Sequence, residues 1–164
     1  MRRTLVCALL LFCVAAPSAP AGPPAQGALV PGRSLGGVRL GATEREVRAL
    51  LGGDYGVCKG CATTTWYYTY QPFTRQGLAV ELKRGRVSAV WTIWRPAGWS
   101  APNGLRLGAP RGQVTELAGP LVPFVCANYE VLTHDRRGVR TAYFIVDGSL
   151  WAFGLFRPSD TPCR

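Results

Sequence analysis

The sequence has few of the side chains on which catalytic and metal sites usually depend. It contains one histidine, His134, and only nine carboxylates, which are scattered along the chain. No Gly-x-Ser-x-Gly, His-Glu-x-x-His or second Cys-x-x-Cys motif is present, although hydrolases and zinc proteins typically carry them. His134 and Asp135 are adjacent, but no activated nucleophile accompanies them. The sequence therefore predicts a non-catalytic protein with no cofactor and no metal site.

Long apolar runs are also missing beyond the N-terminus, so no transmembrane segment is predicted after it. Residues 1–21 combine an Arg pair, an apolar run over 5–16 and the small-x-small sequence Ala-Pro-Ala at 19–21. This pattern is typical of a secretory signal peptide. Cleavage before Gly22 would leave 143 of the 164 residues, which is enough for one domain. We therefore expect a secreted, extracytoplasmic protein.

Lysine is scarce, and the positive charge is almost entirely arginine. Lys59 and Lys83 are the only lysines in a chain of formal net charge +10, which falls to +8 without Arg2 and Arg3. Such a charge attracts acidic proteins, anionic envelope polymers or membrane surfaces. The simpler explanation is the arginine bias of a GC-rich genome, with the charge serving solubility. Nucleic-acid binding is not expected, because no recognition motif is present and the compartment is wrong.

Four cysteines follow the predicted signal peptide: Cys58, Cys61, Cys126 and Cys163. An even number in an exported chain predicts two disulfides, for which three pairings exist. We prefer Cys58–Cys61 with Cys126–Cys163, because the second bond would tie the C-terminal tail to the body of the protein.

The Cys58–Cys61 spacing is also that of a redox pair. Redox pairs usually lie at a helix N-terminus, where the thiol pKa is lowered. Here the pair lies in a Gly-rich loop that follows a helix, which favours a structural disulfide. A zinc site formed by Cys58, Cys61, Cys126 and His134 has suitable ligand types, but oxidising export argues against it.

Two segments of sixteen residues, 37–52 and 104–119, resemble each other at a spacing of 67. Eight positions are identical: Gly37/Gly104, Arg39/Arg106, Leu40/Leu107, Gly41/Gly108, Ala42/Ala109, Val47/Val114, Leu50/Leu117 and Gly52/Gly119. An internal repeat indicates that one structural unit is used twice.

A similar order of elements follows in each half of the chain. Thr43 and Glu46 form a capping box that predicts a helix from residue 44, and Pro110 predicts a helix over 110–117. Each helix precedes a cysteine-containing loop, at 53–62 and 119–128. The strands predicted from β-branched, aromatic and alternating patterns are 63–70, 78–83 and 86–94, and then 129–133, 138–146 and 149–156.

These elements predict an α+β fold of two tandem units. Each unit is a helix followed by a three-stranded antiparallel meander, and the two units share one core because one short helix cannot cover a sheet. The predicted segments are a flexible leader (22–34), the first unit (35–95), a linker (96–103) and the second unit with the C-terminal tail (104–164). One sheet face is left open.

The sequence Gly-x-x-x-Gly-Ala-Thr from Gly37, followed by the strand with Trp66 and Tyr67, resembles a repeat of the β-lactamase-inhibitor-protein-like fold. A related single unit occurs in the small lipoproteins of the outer-membrane barrel-assembly machinery. The resemblance implies a secreted protein of two repeats that presents its open sheet face to a protein partner, with enzyme inhibition as one form of that binding.

Strict alternation along the strands gives the candidate partner-binding residues. It places Trp94, Trp151 and Phe153 opposite the core face, with Tyr67 on the same side, and Arg84 and Arg86 would rim this surface. Both faces of the last strand are apolar, so coverage of the second sheet on both sides is the equally weighted alternative. The predicted function is protein binding. The alternatives are an envelope structural or assembly factor that binds anionic polymer, and a redox protein using Cys58 and Cys61.

Overall fold

The computed structural model describes residues 27–69 and 76–164, so the predicted signal peptide at 1–21 lies outside the described residues. The strands are β1 (Leu29–Val30), β2 (Ser34–Leu35), β3 (Gly56–Val57), β4 (Thr64–Thr69), β5 (Gly77–Lys83), β6 (Arg86–Ile93), β7 (Val122–Cys126), β8 (Tyr129–Arg136), β9 (Val139–Val146) and β10 (Ser149–Phe156). Two helices, α1 (Glu44–Leu51) and α2 (Arg111–Ala118), and a 3₁₀ turn at Pro102–Gly104 complete the described elements.

One antiparallel sheet of eight strands dominates the structure, in the order β3-β4-β5-β6-β10-β9-β8-β7. Strands β3 to β6 form one meander, and strands β7 to β10 form another. The two meanders join where β10 pairs with β6, with Gly154 opposite Trp91 and Phe156 opposite Ala89. The sheet is therefore continuous, and its centre is a contact between strands distant in sequence.

The prediction of an α+β fold made of two helix-plus-three-strand units is wrong. The fold is mainly β, since 47% of the described residues are in strands and 14% in helices, and eight of the ten described strands form one sheet. The added edge strands, β3 and β7, lie within the segments 53–62 and 119–128, which we predicted to be loops. They form because an exposed strand edge can make backbone hydrogen bonds with any extended segment beside it. These bonds involve the backbone alone, so the pattern of side chains does not reveal them.

Local signals at the helices are confirmed. The Thr43 hydroxyl accepts a hydrogen bond from the amide of Glu46, whose carboxylate accepts one from the amide of Thr43 at 2.7 Å. These bonds hold the pKa of Glu46 below its usual range. α2 lacks a side-chain cap and follows Pro110 directly. No helix among residues 27–69 and 76–164 is long and apolar enough to cross a membrane.

The residues matched between residues 37–52 and 104–119 make equivalent contacts with the central strands. The amide of Gly41 donates to the carbonyl of Val87 in β6, and Val87 donates back to Ala42, both at 2.8 Å. Gly108 donates to Leu150 in β10 at 2.7 Å, and Leu150 donates to Ala109. Each helix is thereby attached through its preceding turn to β6 or β10, the two strands that form the seam between the meanders.

We call the face of the sheet that α1 and α2 cover the helix side. Its core joins both helices to the sheet through Val47, Leu51 and Val114, with Phe153 and Leu155 of β10 at its centre. Part of the predicted leader packs here, since β1 pairs with β2 and Leu29 and Leu35 are buried. The predicted linker is equally well packed. Its Trp99 is fully buried and lies over Gly27, where a side chain would clash with the indole ring.

The opposite face, which we call the tail side, has a smaller apolar cluster formed by strands at and beyond the seam. Its buried members are Ala89, Cys126, Val131, Ala142, Phe144, Ala152 and Phe156. No helix covers it. Residues 157–164, here named the C-terminal strap, cross it instead, and Cys163 packs against the cluster.

Two β-bulges determine which side chains face each side. Glu81 pairs with Ala89 while Leu82 pairs with Val87, so Ser88 is an extra residue in β6. Similarly, Trp151 is an extra residue in β10, between Leu150 and Ala152. An extra residue reverses the alternation beyond it within the strand, so strict alternation assigns strand residues beyond a bulge, such as Phe153, to the wrong face of the sheet.

Candidate functional site

The C-terminal strap is fastened to the tail side by a disulfide and by hydrogen bonds. Cys163 is bonded to Cys126, and Cys58 is bonded to Cys61, which is the pairing that we preferred from the sequence. The hydroxyl of Tyr129 donates to the carbonyl of Arg164 at 2.6 Å and accepts from its amide. These contacts hold the last residues of the chain against β8.

Electrostatic contacts hold the strap along its length. Lys83 lies 3.3 Å from the carboxylate of Asp160, and the guanidinium of Arg140 donates to the Asp160 carbonyl at 3.3 Å. The side chain of Arg164 lies 4.9 Å from the ring centre of Phe156 and 5.5 Å from that of Trp91. The strap thus packs against Phe156 and one side of Trp91 on the tail side of the sheet.

Glu81 is a buried carboxylate beneath this strap, with 6% of its surface exposed. It accepts a hydrogen bond from the Ser88 hydroxyl at 2.8 Å and lies 3.4 Å from the Arg164 guanidinium. A buried carboxylate needs such partners because its desolvation is unfavourable. The Ser88 bulge therefore has a local function, since it places a hydroxyl beside Glu81.

Next to the strap the tail side remains open, and this opening is the main candidate site. The opening, here named the aromatic groove, has a volume of about 460 Å³. Its lining residues are Trp91, Thr92, Ile93, Trp94, Asn128, Tyr129, Phe144, Val146, Trp151, Ala152 and Arg164. Both the volume and the mostly apolar lining fall in the range of ligand-binding sites and interface pockets.

Trp94 and Trp151 form the outer wall of the groove. Trp94 is 50% exposed, and its ring meets that of Trp151 edge-on at 6.3 Å between centres. The guanidinium of Arg95 lies over Trp151 at 5.0 Å from the ring centre, which is a cation–π distance. An exposed Trp against a partly buried Trp that carries a stacked arginine has the composition of an interface hot spot.

The backbone at Trp94 and Arg95 is strained. Both residues have positive φ values, of 55° and 47°. The left-handed conformation costs roughly 1–2 kcal/mol for each such residue. Backbone strain of this kind clusters at functional sites, where the surrounding structure maintains it. Here it directs two consecutive large side chains towards Trp151.

The remaining predicted partner-binding residues do not join the groove. Phe153 is fully buried in the helix-side core, so its assignment to the open face is wrong, and the Trp151 bulge is the reason. Tyr67 lies on the tail side, opposite Ala79 of β5, which in turn lies opposite Trp91. It is two strands from β6 and does not line the groove.

Arg84 and Arg86 lie at the far end of β6 from Trp94. The strand runs from Arg86 to Ile93, so its ends are about 23 Å apart at the usual rise per residue. Arg86 instead donates to the carbonyl of Gly41 at 3.0 Å. The prediction that these two arginines rim the aromatic surface is therefore wrong.

Sequence reasoning missed Arg164 and Tyr129, although both line the groove. Both residues join the site because of the path that the strap takes. The predicted Cys126–Cys163 bond was the one feature of the sequence that indicated this path. Strict alternation places Trp91 and Trp94 on opposite faces of the sheet, yet both line the groove, and Trp91 packs against the tail-side cluster.

His134 and Asp135 do not form a dyad. The carboxylate of Asp135 accepts two hydrogen bonds from Arg140, both at 2.9 Å, and this pairing lowers the pKa of Asp135. Burial lowers the pKa of His134, and the charge of Arg136 adds to the effect. Among the described residues, no cluster of three or more His, Cys, Asp or Glu side chains could hold a metal ion.

Comparisons with known proteins give structural likenesses only. No family model and no curated protein matches the sequence. An extracellular protein containing an SCP domain from Bacillus anthracis has a similar structure, with a TM-score of 0.54, 8% sequence identity and 73% of this chain covered. This chain spans only 44% of that protein.

A DUF4309 family protein from Bacillus subtilis is also similar, with a TM-score of 0.52 and 14% identity over 71% of this chain and 78% of the other. At these identities the likeness shows the fold alone. Together with the continuous eight-stranded sheet, these structures overturn the predicted resemblance to the β-lactamase-inhibitor-protein-like fold and its lipoprotein relatives.

Proposed function

We propose that the protein is a secreted, non-catalytic binding module that holds a protein partner in the aromatic groove. The strained display of Trp94 and Arg95 against Trp151 is the observation that carries this proposal. Two disulfides and the predicted signal peptide support an oxidising compartment outside the cytoplasm. An enzyme is one class of partner that the experiment below would identify.

The groove suits a partner that inserts an apolar side chain between aromatic walls. Trp and Tyr supply large contact areas at a small entropic cost, because each has only two side-chain torsions. The disulfide and the Tyr129 hydrogen bonds hold one wall, and the pairing of β6 with β10 holds the floor. A preorganised site loses little conformational entropy when a partner binds.

The test is capture of the partner from the secreting culture, followed by measurement of affinity with the purified partner. Trp151→Ala and Trp94→Ala should each weaken binding by about 30-fold or more, the size of a hot-spot effect of about 2 kcal/mol. Tyr67→Ala is the matched control, since it removes an aromatic side chain from the same face outside the groove. Equal affinity of all three variants would contradict the proposal.

A second candidate, binding of an anionic envelope polymer, has its own supporting observation. The β5–β6 turn, the β8–β9 turn and the residue after β10 lie at one end of the sheet, because Lys83 pairs with Arg86 and Phe156 pairs with Arg140. Arg84, Arg137 and Arg157 are exposed there, and none forms an ion pair with another described residue.

Ionic strength separates the two functions. Polymer binding through arginine should weaken steeply between low and physiological salt, because exposed charges are screened. Binding centred on the groove should change little over the same range. Loss of binding in an Arg84→Gln/Arg137→Gln variant, with full retention in Trp151→Ala, would favour the polymer.

A further inference from the structure

A second pocket lies on the helix side of the sheet, away from the aromatic groove. We call it the His134 pocket. It has a volume of about 320 Å³, and its lining residues are Val30, Pro31, Ala101, Pro102, Asn103, Leu105, Leu117, Ala118, His134, Arg136 and Tyr143. Four parts of the chain enclose it: the β1 end, the 3₁₀ turn, the last turn of α2, and the β8–β9 hairpin.

His134 lines this pocket, and its imidazole has an unmet hydrogen-bonding requirement. Its Nδ1 atom is buried and has no hydrogen-bond partner among the residues that the structure describes. Buried polar atoms of this kind are nearly always paired, with protein, water or a ligand. Tyr143 lies beside it, with ring centres 6.3 Å apart, and its phenol is neutral because burial raises its pKa to about 12.

The charge in the pocket is positive. The guanidinium of Arg136 lies close enough to His134 to disfavour the imidazolium form. Asp135, which lies between them in the sequence, is engaged with Arg140 on the other side of β8. No aspartate or glutamate is among the described lining residues. An anion would therefore find an arginine that no lining carboxylate neutralises.

Apolar side chains form the rest of the wall. Val30 and Pro31 lie on one side and Leu105, Leu117 and Ala118 on the other. Such surface favours an apolar body, since its burial removes it from water. Water alone would leave these walls hydrated.

We propose that the His134 pocket binds a small organic monocarboxylate. Its carboxylate pairs with Arg136 and accepts hydrogen bonds from the imidazole and the Tyr143 phenol, and its apolar body lies against Leu105 and Leu117. The site lies on the opposite face from the aromatic groove, so it does not depend on the function proposed there.

The experiment is a titration of the isotope-labelled, disulfide-bonded protein with phenylacetate, followed by amide chemical shifts. We expect saturable shifts centred on Leu117, His134, Arg136 and Tyr143. Phenylacetamide, which has the same shape and no charge, should bind at least tenfold more weakly, because a hydrogen-bonded ion pair is lost. Equal binding of acid and amide would overturn the assignment of Arg136 as the anion partner.

Two substitutions complete the test. Arg136→Gln should weaken phenylacetate binding at least tenfold, whereas Arg137→Gln, the same charge change one residue further along, should alter it less than twofold. Ala118→Leu, which fills the pocket from the last turn of α2, should abolish binding while the spectrum stays that of a folded protein.

Three results would overturn the proposal. The first is equal weakening by Arg136→Gln and Arg137→Gln, which would show general attraction of anions to a cationic protein. The second is a set of shifts confined to the aromatic groove. The third is the absence of saturable binding, which would show that water alone fills the pocket.

Discussion

The two faces of the eight-stranded sheet are covered in different ways. On the helix side, two helices, the β1–β2 pair and the segment with Trp99 bury a large apolar core. On the tail side, the eight residues of the C-terminal strap cover only part of a smaller cluster, helped by one disulfide and by Arg164. The aromatic groove is the part of the sheet that neither arrangement covers.

Because of this difference, the helix side contributes most of the stability, and the tail side offers the aromatic groove to a partner. The helix side is closed by the packing of apolar side chains, and the buried members of its core have almost no exposed surface. The tail side is closed by a covalent bond and charged contacts, which leave aromatic surface accessible beside them. Substitutions on the helix side should therefore lower stability, and substitutions in the groove should lower binding.

The sharpest test of the comparison uses two neighbours in β10. Phe153→Ala removes a fully buried ring from the helix-side core and should lower the free energy of unfolding by about 3–5 kcal/mol. Trp151→Ala, on the half-covered tail side, should lower it by only about 1 kcal/mol. Urea unfolding followed by circular dichroism measures both, and similar losses would erase the distinction between the faces.

The two disulfides provide the second test. Cys126 and Cys163 are 37 residues apart, whereas Cys58 and Cys61 are 3 apart. On the chain-entropy model, replacing the long-range pair by serines should cost about 3–4 kcal/mol, and replacing the short-range pair about 2 kcal/mol. The long-range variant should also release the strap, seen as faster amide exchange in residues 157–164. Unchanged exchange there would show that the strap stays in place without its bond.

Two glycine substitutions test the packing of the two faces, and they are expected to change stability in opposite directions. A Cβ atom at Gly154 would lie 2.5 Å from the Phe156 ring and 3.0 Å from that of Phe144, so Gly154→Ala should destabilise the tail side by about 1–3 kcal/mol. Gly112 in α2 has open space around it, so Gly112→Ala should stabilise the protein by about 0.4–1 kcal/mol. Thermal unfolding midpoints should move in opposite directions.

The smallest expected effect concerns pH and the helix side. Burial, assisted by Arg136, lowers the pKa of His134 in the folded protein. Below about pH 6.5, the usual histidine pKa, the unfolded chain therefore takes up a proton that the folded protein does not yet bind. The free energy of unfolding should decrease as the pH falls through this range. His134→Gln should show a smaller decrease between pH 7.5 and 5.5, and identical slopes would contradict this account.

Much of the local structure could be predicted. The helix from Glu44, the helix after Pro110 and the hairpin around Asp147 and Gly148 are all present. Each depends on residues within a few positions of one another, such as the Thr43–Glu46 capping box. Turn and capping residues act over these short distances, so they leave a pattern in the sequence.

The candidate site was predicted only in part. Trp94 and Trp151 do lie together in the groove, whereas Phe153 faces the other side and the Arg84 end is remote. The error at Phe153 arises because strict alternation took no account of the bulge at Trp151, and the error at Arg84 and Arg86 arises because they lie at the opposite end of β6 from Trp94. A bulge is stabilised by contacts across the sheet, here by Glu81 beneath the strap for Ser88, and those contacts come from other parts of the chain.

The sequence by itself determined the helices, most of the hairpins and a set of cysteines consistent with two disulfides, because capping, turn and alternation signals are local and act before the chain is packed. Only the tertiary structure decided that β6 pairs with β10 to make one sheet, and that the strap covers half of one face. Pairing between strands whose paired residues lie more than 60 positions apart depends on the whole chain closing on itself. A single extra residue in each central strand then assigns the aromatic side chains to the core or to the surface.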